Sequence, residues 1–170
     1  MKKEITSKFS IKNYHKILEF YIVNTICEQS SCKGKNAKKY GWQKAITLRT
    51  SILNVVKQGR KECDFVYFAH TLSDMDNGVK KLGLDEYFYN KKEEVILVFD
   101  NQPNQIESIF CHIRNSLAHG RFQIYKRNDI VLYVFEDCKK NGLLTARMIL
   151  KESTLLKWIE IIQNPTPSNK

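Results

Sequence analysis

The stretch CHIRNSLAHGRF, residues 111–122, sets two histidines, two arginines, an asparagine and a serine on a segment whose apolar residues keep a helical period. Reading back from it, Ile106, Ile109, Phe110, Ile113 and Leu117 fall within about a third of a helical circumference at roughly 100° per residue, so one face is made for the interior. Asn104 and Glu107, just after Pro103, have the spacing of a capping box, and Gly120 stands where a helix stops. On the opposite side Ser108, Cys111, Asn115 and Ala118 form a stripe of short side chains that would let a second copy of the helix come close. Arg114 and His119 border that stripe, roughly 140° apart around the axis and about 7.5 Å along it, so in a homodimer the arginine of each chain would approach the histidine of its twin.

Outward from this helix, Ile11, Tyr14, Leu18, Tyr21, Ile22 and Ile26 predict a first helix. A basic loop, SCKGKNAKKYGW, follows at residues 31–42. Trp42, Ala45, Ile46, Ile52, Leu53 and Val56 predict a second helix ending near Gly59. Phe65, Phe68, Ala69, Leu72 and Met75 predict a third that stops at the turn-prone DMDNG of residues 74–78. Residues 82–100 read as a short helix and then a buried segment, Val95 to Phe99, compatible with a strand. After Gly120 the period changes: RFQIY, DIVLYVFE and GLLTARMIL, separated by KRND and by KKNG with its Asn141-Gly142 hairpin signal, predict a three-stranded meander. Leu155, Leu156, Ile159 and Ile162 predict a last helix, and NPTPSNK a tail. The expected architecture is mostly α (α+β), a helical bundle with a small antiparallel β-meander before the C-terminal helix. One domain is expected over 1–163, with a tail over 164–170.

Apolar residues make up 42% of the chain and aromatics 11%, which places it among globular sequences and excludes a disordered one. Twenty-eight Lys and Arg against eighteen Asp and Glu leave a formal charge of +10, a surplus that attracts polyanions and makes nucleic acid the first partner to expect. The five cysteines, at 27, 32, 63, 111 and 138, are odd in number and lack a CxxC pair, which argues against a disulfide framework or a structural zinc site. The opening MKKEITSKFS leads into no uninterrupted apolar run, so neither a signal peptide nor a membrane span is expected, and a cytoplasmic location follows.

Arg114-Asn115-Ser116-Leu117-Ala118-His119 resembles the R-x4-6-H signature of the HEPN superfamily, including the polar residue that often follows the arginine. The resemblance rests mainly on this helix and on the helical layout before it. It implies a HEPN-like helical bundle that dimerises through the motif helices. It also implies a metal-independent ribonuclease of the kind found in toxin–antitoxin, abortive-infection and other antiviral systems, with a possible antitoxin or defence-system partner. Some members carry a tyrosine two residues beyond the histidine, the target of nucleotide addition; that position here is Arg121, so this control is not expected.

RNA carries its own nucleophile, the 2′-hydroxyl. A cleaving enzyme must take its proton, stabilise charge on phosphorus and protonate the leaving 5′-oxygen, which yields a 2′,3′-cyclic phosphate and a 5′-hydroxyl. An imidazole exchanges protons around neutral pH, so His119 suits the proton transfers. Arg114 offers forked donors matched to phosphate oxygens, and Asn115 can orient the histidine one turn on or the phosphate itself. The scheme needs no metal or other cofactor. Arg121, Lys126 and Arg127 can extend a phosphate track, and Lys35, Lys38 and Lys39, near Tyr40 and Trp42, mix charge with aromatic faces as single-stranded RNA contacts do, although such a run is more often a solvated loop. His112 shares a face with Asn115, Ser116 and His119 and could line the cleft, but reads more readily as a polar-surface histidine, and His70 with Asp74 as a surface hydrogen bond rather than half a metal site. Ser116 and His119 lack the carboxylate and strained elbow of a hydrolase. The alternative function is a catalytically inactive HEPN-type module that binds RNA or protein and uses the same helix only to dimerise; an unrelated basic interaction protein is a third.

Overall fold

The computed structural model describes residues 10–28, 33, 35–100, 102 and 104–165. The first predicted helix is α1, Ile11–Leu18, which widens without a break into a π-helical turn, Glu19–Asn24. The second is α2, Ala45–Lys57, ended by left-handed Gln58 and Gly59. Between them Lys35 leads into a single 3₁₀ turn, Ala37–Tyr40.

The third predicted helix is a misreading at both ends. Val66–Ala69 is a strand, β1, and the helix that follows, α3, spans Leu72–Leu82 straight through the DMDNG sequence. Phe65, Phe68 and Ala69 have helical spacing, but their backbone finds partners in a neighbouring strand: Phe65 O accepts from Ile96 N at 2.8 Å and Ala69 O from Asp100 N at 2.7 Å. Thr71 and Asp74 form a reciprocal capping box that starts α3 after the strand rather than ending a helix before it. Gly78 serves close approach instead of a turn, since a Cβ there would lie 2.4 Å from Leu97 Cδ1 and 2.9 Å from Tyr67 Cδ1.

Val95–Phe99 is strand β2, parallel to β1. The central helix, α4, spans Gln105–Ala118. Strands β3 (Phe122–Arg127), β4 (Ile130–Cys138) and β5 (Leu144–Lys151) follow as antiparallel neighbours, and helix α5 (Glu152–Gln163) completes the described chain. Because β5 also pairs with β2, the five strands form one mixed sheet in the order β1-β2-β5-β4-β3. The chain is therefore α+β, with a larger sheet than the expected mostly helical architecture allowed.

Strand alternation divides the interior in two. Val95, Leu97, Leu132, Val134 and Ile149 share one cluster with Leu84 and with Met75 and Leu82 of α3. Ile96, Val98, Tyr133, Phe135, Met148 and Leu150 face the larger layer of α1, α2, α4 and α5. Buried aromatics in that layer find acceptors for their polar ends: Trp158 Nε1 donates to Ile52 O at 2.9 Å, Trp42 Nε1 to Ile162 O at 3.1 Å, and Tyr21 Oη to Leu155 O at 3.0 Å. No helix among the described residues is long and apolar enough to cross a membrane.

The cysteines depart from expectation. Cys27, just after the π-helical turn, is disulfide-bonded to Cys111 of α4, with Cα atoms 5.2 Å apart and a sequence separation of 84. Both are buried, whereas Cys63 is exposed and Cys138 half-buried; Cys32 and the tail beyond 165 lie outside the described residues. A bridge of this span restricts the unfolded chain strongly, by about 4.5 kcal/mol in the loop-closure treatment. Thermal unfolding with and without a thiol reductant should accordingly show a lower midpoint when reduced, and Cys27→Ser should remove the difference. Gly78→Val should destabilise the fold by about 1–3 kcal/mol through overpacking against Leu97 and Tyr67, read as a lower urea midpoint.

Candidate active site

Helix α4 carries the motif, and its interior face forms as its period requires: Ile106, Ile109, Phe110, Ile113 and Leu117 are all buried. Phe110 stacks on Tyr21 with ring centroids 5.5 Å apart and lies 5.6 Å from Trp158. Asn104 Oδ1 accepts from Glu107 N at 2.9 Å and caps the first turn. At the other end Gly120 N donates to Leu117 O and Arg121 N to Ser116 O, with Gly120 at φ +65°, the paired bonds of a Schellman stop. His119 is thereby the C-cap residue. Its ring is exposed, and no side-chain hydrogen bond holds it among the described residues.

One to two turns back the polar groups are tied inward. His112 is buried, not on the polar surface expected for it. Its Nδ1 lies 2.8 Å from Asp137 Oδ2 and its Nε2 2.9 Å from Phe99 O. A carbonyl only accepts and an ionised carboxylate only accepts, so both ring nitrogens donate and the ring sits against Asp137 as a cation. Asp137 comes from β4, on the same face as Tyr133 and Phe135, where strand alternation aims it at α4. The same Oδ2 accepts from Asn115 Nδ2 at 3.2 Å, and Asn115 Oδ1 accepts from Arg114 Nη1 at 3.1 Å. Burial by itself raises the Asp137 carboxyl, but the His112 hydrogen bond and charge, the Asn115 amide and the Cys138 N–H together hold it below the ordinary carboxyl range. Arg114 is half-buried, and its Nε is enclosed with no acceptor.

The structure thus brings Arg114 and Asn115 into one hydrogen-bonded chain and leaves His119 a turn further on, at the open end of the helix. Asn115, expected to orient the histidine or the phosphate, links Arg114 to Asp137. His112 and Asp137 join the site through this chain of hydrogen bonds. The signal in the sequence was a carboxylate at a core-facing strand position, two residues beyond Phe135, where an uncompensated charge is costly.

Of the small-residue stripe, Ser108 is buried, donating to Asp100 Oδ1 at 2.8 Å, and Cys111 is closed in the disulfide; both are used within the chain. Asn115 is half-buried and Ala118 exposed, so only the C-terminal part of the stripe faces outward. The cations expected to meet RNA fall into separate groups. Arg121 is exposed beside the end of α4, its Nη1 donating to Cys138 O at 2.8 Å. Lys126 pairs with Asp129 at 2.6 Å in the β3–β4 turn, and Arg127 donates to Asn90 O at 2.8 Å while covering the Tyr125 ring. Lys35 lies over the Tyr40 ring at 4.8 Å, and Lys38 and Lys39 are exposed on the 3₁₀ turn. Lys38 shares a pocket of about 260 Å³ with Asn104 and Glu107, which puts this group at the opposite end of α4 from the motif. Trp42 is core. Asp74 Oδ2 accepts from the backbone N–H of His70 and Thr71 as a helix cap. Among the described residues no group of three or more His, Cys, Asp or Glu could hold a metal ion.

An α+β chain with a histidine and an arginine at the end of its central helix fits the HEPN class. A family model described as HEPN pEK499 p136 matches residues 2–164, and the chain belongs to that family. No curated protein and no solved structure matches it.

Removing His112 would leave the Asp137 charge buried without its partner, so His112→Ala should cost about 3–5 kcal/mol of stability in chemical denaturation. Asp137 also sets a sign for pH. Its folded carboxyl titrates below its unfolded one, so its contribution is full above about pH 4 and is lost as pH falls through the lower folded value. The urea midpoint should therefore fall on acidification below about pH 4, and fall less in Asp137→Asn than in the parent.

Proposed function

We propose that the protein is a metal-independent endoribonuclease acting as a homodimer. It cleaves RNA by attack of the 2′-oxygen on the adjacent phosphorus with loss of the 5′-oxygen, leaving 2′,3′-cyclic phosphate and 5′-hydroxyl ends. The observation that supports this best is the end of α4: an exposed imidazole at the C-cap and, one turn before it, an arginine whose Nε has no acceptor. A buried donor without a partner costs on the order of 1–3 kcal/mol, a cost that a phosphate oxygen bound at this guanidinium would relieve. His119 takes the 2′-hydroxyl proton, or in its protonated form supplies one to the leaving oxygen. Arg114 stabilises the charge that grows on phosphorus. Arg121, beside the same helix end, is the cation best placed to hold the flanking phosphate; Lys126, Arg127, Lys35, Lys38 and Lys39 would act at a distance, through charge.

In the dimer the second copy meets the outward end of the stripe, Asn115 and Ala118, which brings its Arg114 and His119 to the same cleft. Family membership makes a toxin or abortive-infection effector the natural setting, cytoplasmic and held by an antitoxin or another defence-system protein. A second reading is a catalytically inactive HEPN-type module that binds RNA or protein. It is favoured by the bond from Arg114 to Asn115, which ties the arginine into its own chain.

Purified protein incubated with RNA in EDTA separates the two. Cleavage should survive chelation, leave cyclic-phosphate ends, and fall by about 10²–10⁴ in His119→Ala with RNA binding largely intact. Arg114→Ala should weaken both. Equal cleavage by parent and His119→Ala would remove the catalytic assignment.

A further inference from the structure

Asp137 lies on a strand, outside the motif helix, yet it decides how the motif arginine is held. A carboxylate accepts hydrogen bonds and cannot donate them, so the end of the Asn115 amide that faces Asp137 Oδ2 at 3.2 Å must be the NH₂. The amide oxygen is then turned the other way, and it is there that Arg114 Nη1 donates at 3.1 Å. The opposite amide orientation would set oxygen against carboxylate and NH₂ against guanidinium, repulsive at both ends. Nor is the charge on Asp137 free to change easily. The His112 cation lies 2.8 Å from it, and that ring is anchored by Nε2 on Phe99 O at 2.9 Å.

Donors therefore run in a set order between two strands and the helix. His112 donates to Phe99 O of β2 and to Asp137 of β4, Asn115 donates to Asp137, and Arg114 donates to Asn115. The guanidinium is held at Nη1, which fixes one arm and leaves Nη2 as the donor for a ligand.

We propose that Asp137, with its charge kept by His112, is a positioning residue that acts through Asn115 to aim Arg114 at the scissile phosphate. This rests on the nuclease reading of the same site. Asn115 is then the relay of the motif rather than a group that touches RNA. The cost of losing the aim falls on the chemical step, because a misdirected guanidinium still contributes charge to binding but meets the transition state poorly.

The test has two arms. In the first, kcat and KM for RNA cleavage are measured for the parent, Asp137→Asn, Arg114→Ala and the double variant. Asp137→Asn should lower kcat by about 10–100-fold with little change in KM, and should have no further effect once Arg114 is gone. Losses that multiply in the double variant would mean that Asp137 does not act through Arg114 and would overturn the proposal. In the second arm, ¹⁵N-labelled parent and Asp137→Asn are compared by NMR at the Asn115 side-chain amide and the Arg114 guanidinium. Both sets of signals should move together; unchanged signals at both groups would overturn the proposal whether or not the protein cuts RNA. If the parent cuts nothing, the nuclease reading fails and the NMR arm alone decides the hydrogen-bond relay. Should Asp137→Asn not fold, Asn115→Leu cuts the same relay without disturbing the ion pair, and it is held to the same kcat loss and the same Arg114 shift.

Discussion

His112 and Asp137 are buried against each other between α4 and β4, where water is not at hand to solvate either, and the arrangement of the whole site follows from how they satisfy one another. A buried pair of this kind is poor evidence of net stability, because desolvation offsets much of the attraction. What it supplies is specificity of placement. The histidine must reach Phe99 O on one side and the carboxylate on the other, so α4 can take only one rotation and one height over the sheet. Asn115 and Arg114 inherit that register, as does His119 at the helix end.

The two-sided sheet makes this possible. α3 packs behind β1 and β2, and residues on the other face of β2 and β4 become the points against which α4 is set. The disulfide from Cys27 and the stacking of Phe110 on Tyr21 hold the opposite side of α4 to the first helix and its π-helical extension. The motif helix is thus clamped along most of its length, and only its last turn, with Ala118, His119 and then Gly120, opens outward. That contrast between a fixed body and an open end is what a site needs if a mobile polymer is to be met by groups already in place.

Much of this was legible where the physics is local. The apolar period of Ile106, Ile109, Phe110, Ile113 and Leu117 marked the buried face of α4, Asn104 its start and Gly120 its end, because caps and periodicity depend on neighbours a turn away. The β3–β4 turn lay where KRND suggested, with Asn128 and Asp129 both in the left-handed region. Segments failed where a distant partner overrode local preference. Phe65, Phe68 and Ala69 are spaced like a helix, but β2 lies alongside and takes their backbone hydrogen bonds. DMDNG prefers a turn in isolation, but Asp74 caps α3 and Gly78 is needed where the helix meets Leu97 and Tyr67.

The order of residues alone determined that one amphipathic helix would carry Arg114, Asn115 and His119 at its outer end, since side-chain direction on a helix depends only on spacing. Only the tertiary structure decided what stands behind them. Cys27 meets Cys111 across 84 residues and Asp137 meets His112 across 25, and no local rule relates positions so far apart. Those meetings depend on which strands pair and which face each side chain takes, and both are settled by the fold as a whole.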